Sequence, residues 1–556
     1  MFSPDGSRIA YLAAVAESGR YGTEEKISSE AEPPRRVTSM SYRLDGKGFT
    51  LDKPEQIFLV PTDHVLADDA HTDDEPDPAA TGPNALTAEP RGAGRPAFSA
   101  DGTTIVYPRS IGADDITSEL VTIAVPTADS DVPPTPEVLV TGIGSVGLAA
   151  IDGDTVYFVA EAFSGVDFCA QLPGLWSAPL AGGTPRRLTD EKSVYVEGID
   201  PIVTADRVLI AVQNRGAVEL RAVPKDADRL ELDDIPMVMG GQRVVKAFDY
   251  VGDADSGRLA VVIGDPTSFA EVVLADVDPA VGTATDERVL TDLGGELTAA
   301  GLRDVVELNG QAADGHPVHG WLVLPTGPGP HPVLLNVHGG PYSAYTWSLF
   351  DEAQMYASAG YAVVMGNPRG SSGYGRDHGR AIVRAMGTVD VVDVLALLDL
   401  ALERDDLQSD RVGVMGGSYG GFMTSWLASQ APGRFVAGIS ERALNAWDSF
   451  AGSSDIGYFF AEAYVGADRD SQWQASPLAH ADKIDIPLLI IHSEQDWRCP
   501  VEQGQRLFTA LRLRGAEAEM LLFPAEGHEL SRGGRPRHRQ QRFEAILDWW
   551  QRHLPV

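Results

Sequence analysis

The hydrophobic pattern of this chain changes near residue 300. The segments before and after that residue are therefore expected to have different folds. Before it, short runs rich in Val, Ile, Thr and Tyr lie between Asp-Gly, Gly-Asp and Pro, which predicts β-strands without helical periodicity. The clearest runs are 57–61, 104–108, 120–125, 155–160, 207–212 and 259–263. A chain of 556 residues is too long for a single hydrophobic core. We therefore expect two domains, residues 1–300 and 301–556.

One short phrase occurs twice in the first part. Residues 2–6 read FSPDG and residues 98–102 read FSADG, and each feeds a predicted strand that ends in an aromatic residue. Repetition with many short strands favours an all-β propeller, in which about six or seven blades would fit before residue 300. An array of β-sandwiches is the alternative. Because the first phrase begins at residue 2, the chain opens inside a blade pattern, and we expect an upstream segment or a different start.

Charge and composition argue against several classes of function. The net charge of −36 opposes the basic patches that nucleic acids and anionic membranes require. No apolar run approaches the roughly 18–20 residues of a membrane span, and the N-terminus lacks the regions of a signal peptide. We expect a cytoplasmic protein without nucleic-acid or membrane partners. The acidic stretch 65–84 is interpreted as a solvated loop.

The cysteine content argues against disulfides and metal sites. Cys169 and Cys499 are too few for a disulfide scaffold and too far apart for a metal-ligand pattern. Neither a metal nor an organic cofactor is expected. The sequence leaves the oligomeric state open, and a homo-oligomer is among the states it allows.

After residue 300, apolar strands alternate with amphipathic helices, as in a parallel sheet covered on both faces. A short exposed stretch, 309–315, precedes them. The predicted strands are 318–324, 332–337, 362–365, 411–415, 436–439, 488–492 and 519–523. The predicted helices are 350–359, 389–403, 420–430, 501–514 and 542–553.

A G-x-S-x-G motif lies between strand 411–415 and helix 420–430. Residues 416–420 read GGSYG, with Ser418 at the centre. A nucleophile on such a tight strand-to-helix turn needs glycine two residues to either side, because side chains there would clash. The following helix N-terminus offers the backbone N–H of Tyr419 for stabilising an oxyanion. A glycine-rich turn without chemistry is the alternative.

The partners of such a serine follow in the order acid, then histidine. Strand 488–492 runs into Asp496, and strand 519–523 runs into His528, so both groups come to the carboxyl edge of the sheet. Asp496 would orient the imidazole of His528, which would take the proton of Ser418. Glu494 is the rival acid.

A second oxyanion donor is expected from the loop that follows strand 332–337. Residues 338–341 read HGGP, and the glycines let the backbone approach a substrate carbonyl. The N–H of Gly340 is our candidate. A plain glycine turn is the alternative.

These motifs together resemble the prolyl oligopeptidase family. The resemblance rests on HGGP at 338–341, NPRGSSGYG at 367–375, GGSYGG at 416–421, Asp496, and GH at 527–528. It is closest to the acylaminoacyl-peptidase and dipeptidyl-aminopeptidase-like branch, which also has similar spacings from serine to acid (78) and from acid to histidine (32). It is specific over about 300–556 and looser before that.

The resemblance implies a propeller of about seven blades that caps an α/β-hydrolase domain and admits only peptides or unfolded segments. The late start of the chain in the blade pattern leaves the number of complete blades open. The resemblance also implies a pocket for an apolar residue, and an arginine near the substrate at the position of Arg498. Aromatic residues between the nucleophile and the acid are candidates to line that pocket: Trp447, Phe450, Phe459 and Phe460. Packing in the core is the alternative for each of them.

We expect a serine peptidase that hydrolyses short peptides or removes blocked residues. No paired-glutamate motif for a free substrate amino terminus is identified in the sequence, so dipeptidyl-peptidase action is less supported. Two other functions stay open: an esterase or amidase acting on small acyl compounds, and a propeller binding module with an inactive hydrolase.

Overall fold

The computed structural model describes residues 1–62, 85–112, 116–126, 134–252, 257–277 and 283–556. The predicted loop at 65–84 therefore lies outside the described residues. Across the described ranges, no helix is both long enough and apolar enough to cross a membrane. The cytoplasmic location stays a prediction.

The first part of the chain is built from short antiparallel strands, as the sequence predicts. Each of the six predicted strands overlaps an observed one, with ends that differ by two residues at most. The strands are β1 (Arg8–Ala14), β2 (Arg43–Leu44), β3 (Gly48–Phe49), β4 (Glu55–Pro61), β5 (Ala97–Phe98), β6 (Thr104–Ser110), β7 (Ser118–Ala124), β8 (Glu137–Asp152), β9 (Thr155–Ala162), β10 (Gly174–Pro179), β11 (Arg186–Arg187), β12 (Tyr195–Val196), β13 (Ile202–Val203), β14 (Arg207–Asn214), β15 (Ala217–Pro224), β16 (Met237–Met239), β17 (Val244–Gly252), β18 (Gly257–Asp265), β19 (Ser268–Val277) and β20 (Ala284–Val289).

These strands form successive blades. β1 pairs with β4, and the long strand β8 serves two blades because its first half pairs with β7 and its second half with β9. The remaining strands complete two blades around β14–β15 and β17–β20. We count five blades in the described residues; the sequence left the number of complete blades open. The long connection between β1 and β4 makes the first blade larger than a repeat of about 40–50 residues.

Apolar side chains fill the space between neighbouring blades. Ile57 of the first blade packs with Ile105 and Tyr107 of the second, and Val159 of the third packs with Ile210 of the fourth. Each blade thus buries its apolar surface mainly against the next one, which is the packing of a β-propeller.

The repeated phrase forms the same turn twice. Ser3 Oγ donates to Asp5 Oδ1 over 2.6 Å, and Ser99 Oγ donates to Asp101 Oδ1 over 2.6 Å. In both copies the serine oxygen then accepts the N–H of the first residue of the next strand, over 2.9 and 3.0 Å. The repeat predicted from the sequence is therefore a repeat of structure.

The second part contains an eight-stranded sheet in the order β21-β22-β24-β23-β25-β26-β27-β28. β22 is antiparallel to its neighbours, and the strands from β24 to β28 run parallel. This is the arrangement of an α/β-hydrolase. The strands are β21 (Val305–Gln311), β22 (Pro317–Val323), β23 (His331–Val337), β24 (Ala362–Gly366), β25 (Leu407–Gly417), β26 (Ala437–Glu441), β27 (Leu488–Ser493) and β28 (Ala518–Phe523).

Several helices pack on this sheet, and apolar cores lie between them and the strands. In chain order, the α-helices of the described residues are α1 (Gly295–Ala299), α2 (Asp351–Ser358), α3 (Arg376–Arg380), α4 (Val389–Leu402), α5 (Tyr419–Gln430), α6 (Trp447–Ser453), α7 (Gly457–Tyr464), α8 (Arg469–Gln474), α9 (Glu502–Leu513), α10 (Leu530–Gly533) and α11 (Pro536–His553). Short 3₁₀ helices are Ser29–Ala31, Leu232–Asp234 and Pro477–Lys483.

All twelve elements predicted after residue 300 are present, but two expectations need correction. Most of the stretch 309–315 is exposed, as expected, but Ala312 is buried, and β21, which the sequence did not predict, extends to Gln311. This strand lies at the edge of the sheet, where many of its residues stay in contact with solvent and the apolar signal is weak. The closing helix begins at Pro536 instead of residue 542, since proline suits the first turn of a helix.

Backbone hydrogen bonds join the propeller to the hydrolase domain. The N–H of Trp347 donates to the carbonyl of Gly216 over 2.9 Å, and the N–H of Leu349 donates to that of Asp265 over 2.7 Å. Both acceptors lie in blades, and both donors follow the HGGP loop. The two parts therefore meet beside the predicted site.

Candidate active site

Ser418 lies on a strained turn between β25 and α5. Its backbone has φ 61° and ψ −117°, a conformation that L residues rarely adopt. A Cβ atom at Gly420 would lie 2.0 Å from the carbonyl oxygen of Val337, and one at Gly416 would lie 2.5 Å from it. The steric need for glycine at both positions is confirmed. The turn presents the serine at the carboxyl edge of the sheet.

Ser418 opens onto a cavity of about 490 Å³, a size typical of sites for small ligands. His528, Arg442 and Arg498 line the same cavity, and Pro266 contributes from the propeller. Its apolar lining includes Met386, Phe422, Leu444, Trp447, Phe450, Ile456 and Phe460. The structure thus brings the predicted nucleophile and the predicted base into one enclosed space.

The predicted acid and base form a direct pair. His528 Nδ1 lies 2.8 Å from Asp496 Oδ2, and both side chains are buried. The other oxygen of Asp496 accepts the N–H of Cys499 over 2.8 Å. Glu494, the rival acid, is exposed to solvent. The geometry therefore favours Asp496 as the partner of the histidine.

Burial sets the protonation of this pair. It raises the pKa of Asp496 to about 7, and it lowers the pKa of His528 well below the usual value, with Arg442 and Arg498 acting in the same direction. Both shifts arise because water is removed from around the charged forms. The imidazole is therefore neutral at neutral pH. Because Nδ1 faces the acid, Nε2 is the ring nitrogen that can accept a proton, and its neighbour is a guanidinium nitrogen of Arg442.

Arg442 is a residue that the sequence reasoning missed. It follows β26 directly, and its Nη1 lies 3.5 Å from Nε2 of His528. Its guanidinium also closes the space beside the nucleophile, since a Cβ at Gly417 would lie 2.8 Å from its Cζ. The signal that could have found it is its place at the end of a parallel strand, at the same edge as the predicted acid and base.

Cys499 was also missed as part of the site. It is fully buried, its side chain is within hydrogen-bonding reach of Ser418, and burial raises its pKa above the usual value. The thiol is therefore neutral. Its proximity in sequence to Asp496 was the available signal.

The HGGP loop lies against the serine. A Cβ at Gly339 would be 3.6 Å from Cβ of Ser418, and Gly340 has φ 120°, a value that favours glycine. His338 is buried and holds the loop, with Nε2 2.9 Å from Ser371 Oγ. On the other side, the N–H of Tyr419 belongs to the first turn of α5, which has no acceptor within the helix.

The aromatic candidates divide into two groups. Trp447, Phe450 and Phe460 line the cavity, and the rings of Trp447 and Phe460 stack with centroids 6.2 Å apart. Phe459 lies elsewhere, because its ring packs edge-on against Phe168 of the propeller, with centroids 5.4 Å apart. Successive side chains of a helix point about 100° apart, and in α7 it is Phe460, not Phe459, that lines the cavity. Phe459 is therefore withdrawn as a pocket residue.

Arg498 lines the cavity, as its predicted role requires, but it is already paired. Its Nε donates to Asp455 Oδ1 over 2.8 Å, and its Nη2 donates to Oδ2 over 3.2 Å. Asp455 belongs to the hydrolase domain and not to the propeller. This pairing holds the guanidinium at the cavity wall.

Within the described ranges, no group of three or more His, Cys, Asp or Glu side chains is placed to hold a metal ion. The site consists of a serine on a strained elbow, the adjoining HGGP loop, and an imidazole that lines the cavity and pairs with a buried carboxylate. The fold and the site define an α/β-hydrolase of the serine type, joined to a β-propeller.

Comparisons with known proteins narrow this class. Residues 347–556 match the model of the prolyl oligopeptidase family. The "Uncharacterized peptidase YuxL" of Bacillus subtilis (strain 168) is 30% identical over 569 residues, which covers 100% of this chain and 83% of that protein. The chain belongs to the prolyl oligopeptidase family and is a serine peptidase of that family.

Two further similarities agree with this assignment. The acylamino-acid-releasing enzyme of Arabidopsis thaliana is 33% identical over 236 residues, which span 40% of this chain and 30% of that enzyme. The solved acylaminoacyl peptidase of Pyrococcus horikoshii superposes with a TM-score of 0.79 at 23% identity, covering 100% of this chain and 81% of that one. The latter confirms the fold of a propeller followed by an α/β-hydrolase.

Proposed function

We propose that this protein cleaves short peptides, and removes amino-terminally blocked residues in particular, by a Ser418–His528–Asp496 triad. The observation that carries the proposal is the 2.8 Å contact between His528 and Asp496, in the cavity onto which the strained elbow of Ser418 opens. No cofactor takes part in the proposed reaction.

The proposed reaction is acyl transfer to water. Ser418 Oγ attacks the scissile carbonyl carbon while its proton passes to Nε2 of His528. The N–H groups of Tyr419 and Gly340 stabilise the oxyanion that forms. The C–N bond then breaks, His528 gives the proton to the leaving amine, and a water molecule releases the acyl group by the reverse sequence.

The cavity wall supports a preference for a bulky apolar residue on the acyl side of the scissile bond. Trp447, Phe450 and Phe460 present apolar rings to the cavity onto which Ser418 opens. The nearby charged group of Arg498 is occupied by Asp455. A charged substrate side chain in this pocket would lose its hydration without gaining a partner.

The charges of the cavity support a blocked amino terminus over a free one. The carboxylates that line the cavity in the described part of the chain are each paired with an arginine: Glu352 and Glu441 with Arg542, and Glu529 with Arg532. A substrate ammonium group would meet arginines instead of an available carboxylate. The names of the Arabidopsis and Pyrococcus relatives, an acylamino-acid-releasing enzyme and an acylaminoacyl peptidase, agree with this inference.

We propose further that the propeller restricts access. Pro266 of a blade lines the cavity, and Trp347 and Leu349, which also line it, are joined to the propeller by backbone hydrogen bonds. Short peptides would enter, and folded proteins would not.

The test uses a fluorophosphonate probe and three chromogenic substrates. Wild type should be labelled, Ser418→Ala should not, and the exposed control Ser409→Ala should be labelled normally. The substrates are an N-acetyl-phenylalanine anilide, the same anilide with a free amino terminus, and a p-nitrophenyl ester. The blocked anilide should have a higher kcat/KM than the free one. Turnover of the ester alone would contradict the peptidase proposal, and unlabelled but folded wild type would contradict the triad.

A further inference from the structure

A small hairpin of the propeller reaches the catalytic loops. Strands β2 and β3 form it within the connection between β1 and β4 of the first blade. The ring of Phe49 packs against that of Trp497, with centroids 5.5 Å apart. Arg43 Nη2 donates to the carbonyl of Ser453 over 2.9 Å, and the guanidinium lies over the Trp497 ring. The hairpin therefore contacts the residue that follows the proposed acid.

Asp45, at the tip of this hairpin, binds two catalytic loops with one carboxylate. Its Oδ1 accepts the N–H of Trp497 over 2.9 Å, and its Oδ2 accepts the N–H of His528 over 3.1 Å. Its own N–H donates to Asp455 Oδ2 over 2.8 Å, and Asp455 is also the partner of Arg498. One side chain of the propeller thus joins the loop of the acid to the loop of the base.

We propose that Asp45 is a positioning residue for the triad: it holds the backbones of Trp497 and His528 at the spacing that keeps the imidazole aligned with both Asp496 and Ser418. This inference rests on the proposed function. Hydrogen bonds from backbone N–H groups to a carboxylate are charge-assisted, and they are stronger than neutral ones. They also have a fixed direction, so they restrain the loops that carry the acid and the base.

Such positioning matters because the rate of acyl transfer depends strongly on the geometry of the reacting groups. A displacement of about 1 Å by a change remote from the reacting atoms costs about 100-fold in rate. The acid and the base come from loops after different strands, β27 and β28, and they are 32 residues apart in sequence. A bond shared by both loops fixes their relative position directly.

Asp45 also acts on the pair through its charge. Burial raises the pKa of Asp45, and the titratable groups that face it are Asp455, Asp496, His528 and Arg498. Its negative charge raises the pKa of His528, as the charge of Glu529 does, against the larger effects of burial, Arg442 and Arg498. Removing the charge should therefore move the acidic limb of kcat/KM to lower pH, an effect that a purely structural contact would not produce.

The experiment compares Asp45→Ala, Asp45→Asn and the control Lys47→Ala in the full chain. Lys47 lies in the same hairpin, but its ammonium pairs with Glu55 at the surface. Asp45→Ala should lower kcat about 100-fold with KM changed less than about twofold. Asp45→Asn keeps one acceptor oxygen, and its kcat should be about 10-fold below that of wild type. In the asparagine variant the acidic limb should also lie at lower pH, while Lys47→Ala should match wild type.

Active-site titration with the fluorophosphonate separates positioning from folding. Wild-type kcat per titrated site in both Asp45 variants would overturn the inference, and so would an acidic limb that stays in place in Asp45→Asn. Because wild type is measured alongside, a failure of the proposed function would appear as an unlabelled wild-type enzyme, whereas a failure of this inference would leave wild type active.

Discussion

The propeller and the hydrolase domain use their residues in different ways. In the propeller the same turn is built twice, with Ser3 and Ser99 in equivalent hydrogen bonds. In the hydrolase domain, contacts such as that of Arg542 with Glu441 are made once, between residues that are 101 positions apart. A substitution in one copy of a repeated turn should affect mainly that copy. A contact made once between distant segments has no second copy, and the proposed triad is built from contacts of this kind.

The largest effect is expected for the buried charges of the hydrolase domain. Arg542 is buried between Glu441 and Glu352, with contacts of 2.6 and 3.0 Å. Arg542→Met leaves Glu441 without its guanidinium partner and leaves Glu352 only the hydroxyl of Tyr356. It should destabilise the protein by about 4 kcal/mol. The matched change in the propeller, Arg258→Met, removes an exposed pair with Asp276 and should cost less than about 1 kcal/mol. Urea denaturation followed by tryptophan fluorescence gives both values. Equal losses of unfolding free energy in the two variants would contradict the difference proposed between the two domains.

The next effect compares two glycines. Gly420→Ala places a Cβ 2.0 Å from the carbonyl oxygen of Val337, so the elbow must move. We expect a loss of about 3 kcal/mol and of most of the activity. A Cβ at Gly147, in β8, would have no atom within 4 Å, and Gly147→Ala should change stability by less than about 0.5 kcal/mol. Thermal unfolding and anilide turnover measure the two variants, and an active Gly420→Ala enzyme would contradict the steric argument.

A smaller and equal effect is expected for the two copies of the repeated turn. Ser3→Ala and Ser99→Ala each remove a hydroxyl that joins an aspartate to the next strand. Each should lower the free energy of unfolding by about 1 kcal/mol and leave kcat unchanged. Chemical denaturation of both variants, side by side, tests the equivalence. Clearly unequal costs would show that the copies are alike in sequence but not in structural role.

The smallest effect is expected in the pH dependence of kcat/KM, which tests the charged residues next to His528. Only neutral His528 can accept the proton of Ser418, and its pKa is lowered by burial and by Arg442 and Arg498. The acidic limb of kcat/KM should therefore lie below pH 6.5, the ordinary value for histidine. Arg442→Met removes a positive charge, raises the pKa of His528 and should move the limb to higher pH. Arg258→Met should leave it in place. Movement to lower pH in Arg442→Met would refute the assignment.

Much of the architecture could be predicted because it depends on local patterns. The strands of the propeller were recognisable from short β-branched runs between turns, and the hydrolase elements from alternation of strands and helices. The edge strand Val305–Gln311 was not predicted, because few of its side chains are buried and its apolar pattern is weak. Phe459 was misplaced because sequence order does not tell which of two adjacent aromatic residues of a helix faces a cavity.

The site was predictable where a residue follows directly from its strand. Ser418, Asp496 and His528 each stand after a parallel strand, and parallel strands end at one edge. Arg442 obeys the same rule but lies outside any motif. Asp45 obeys no rule, because it lies more than 370 residues before Ser418 in the sequence and belongs to the other domain.

The sequence by itself therefore determined the two kinds of secondary structure, the strained turn at Ser418 and the order of the proposed triad, since each depends on neighbouring residues or on a regular period. Only the tertiary structure decided which side chains surround the triad: Arg442 against the imidazole, the aromatic rings that face the cavity, and Asp45 between two catalytic loops. Those contacts depend on the distance and direction of segments remote in the chain, which no local pattern encodes.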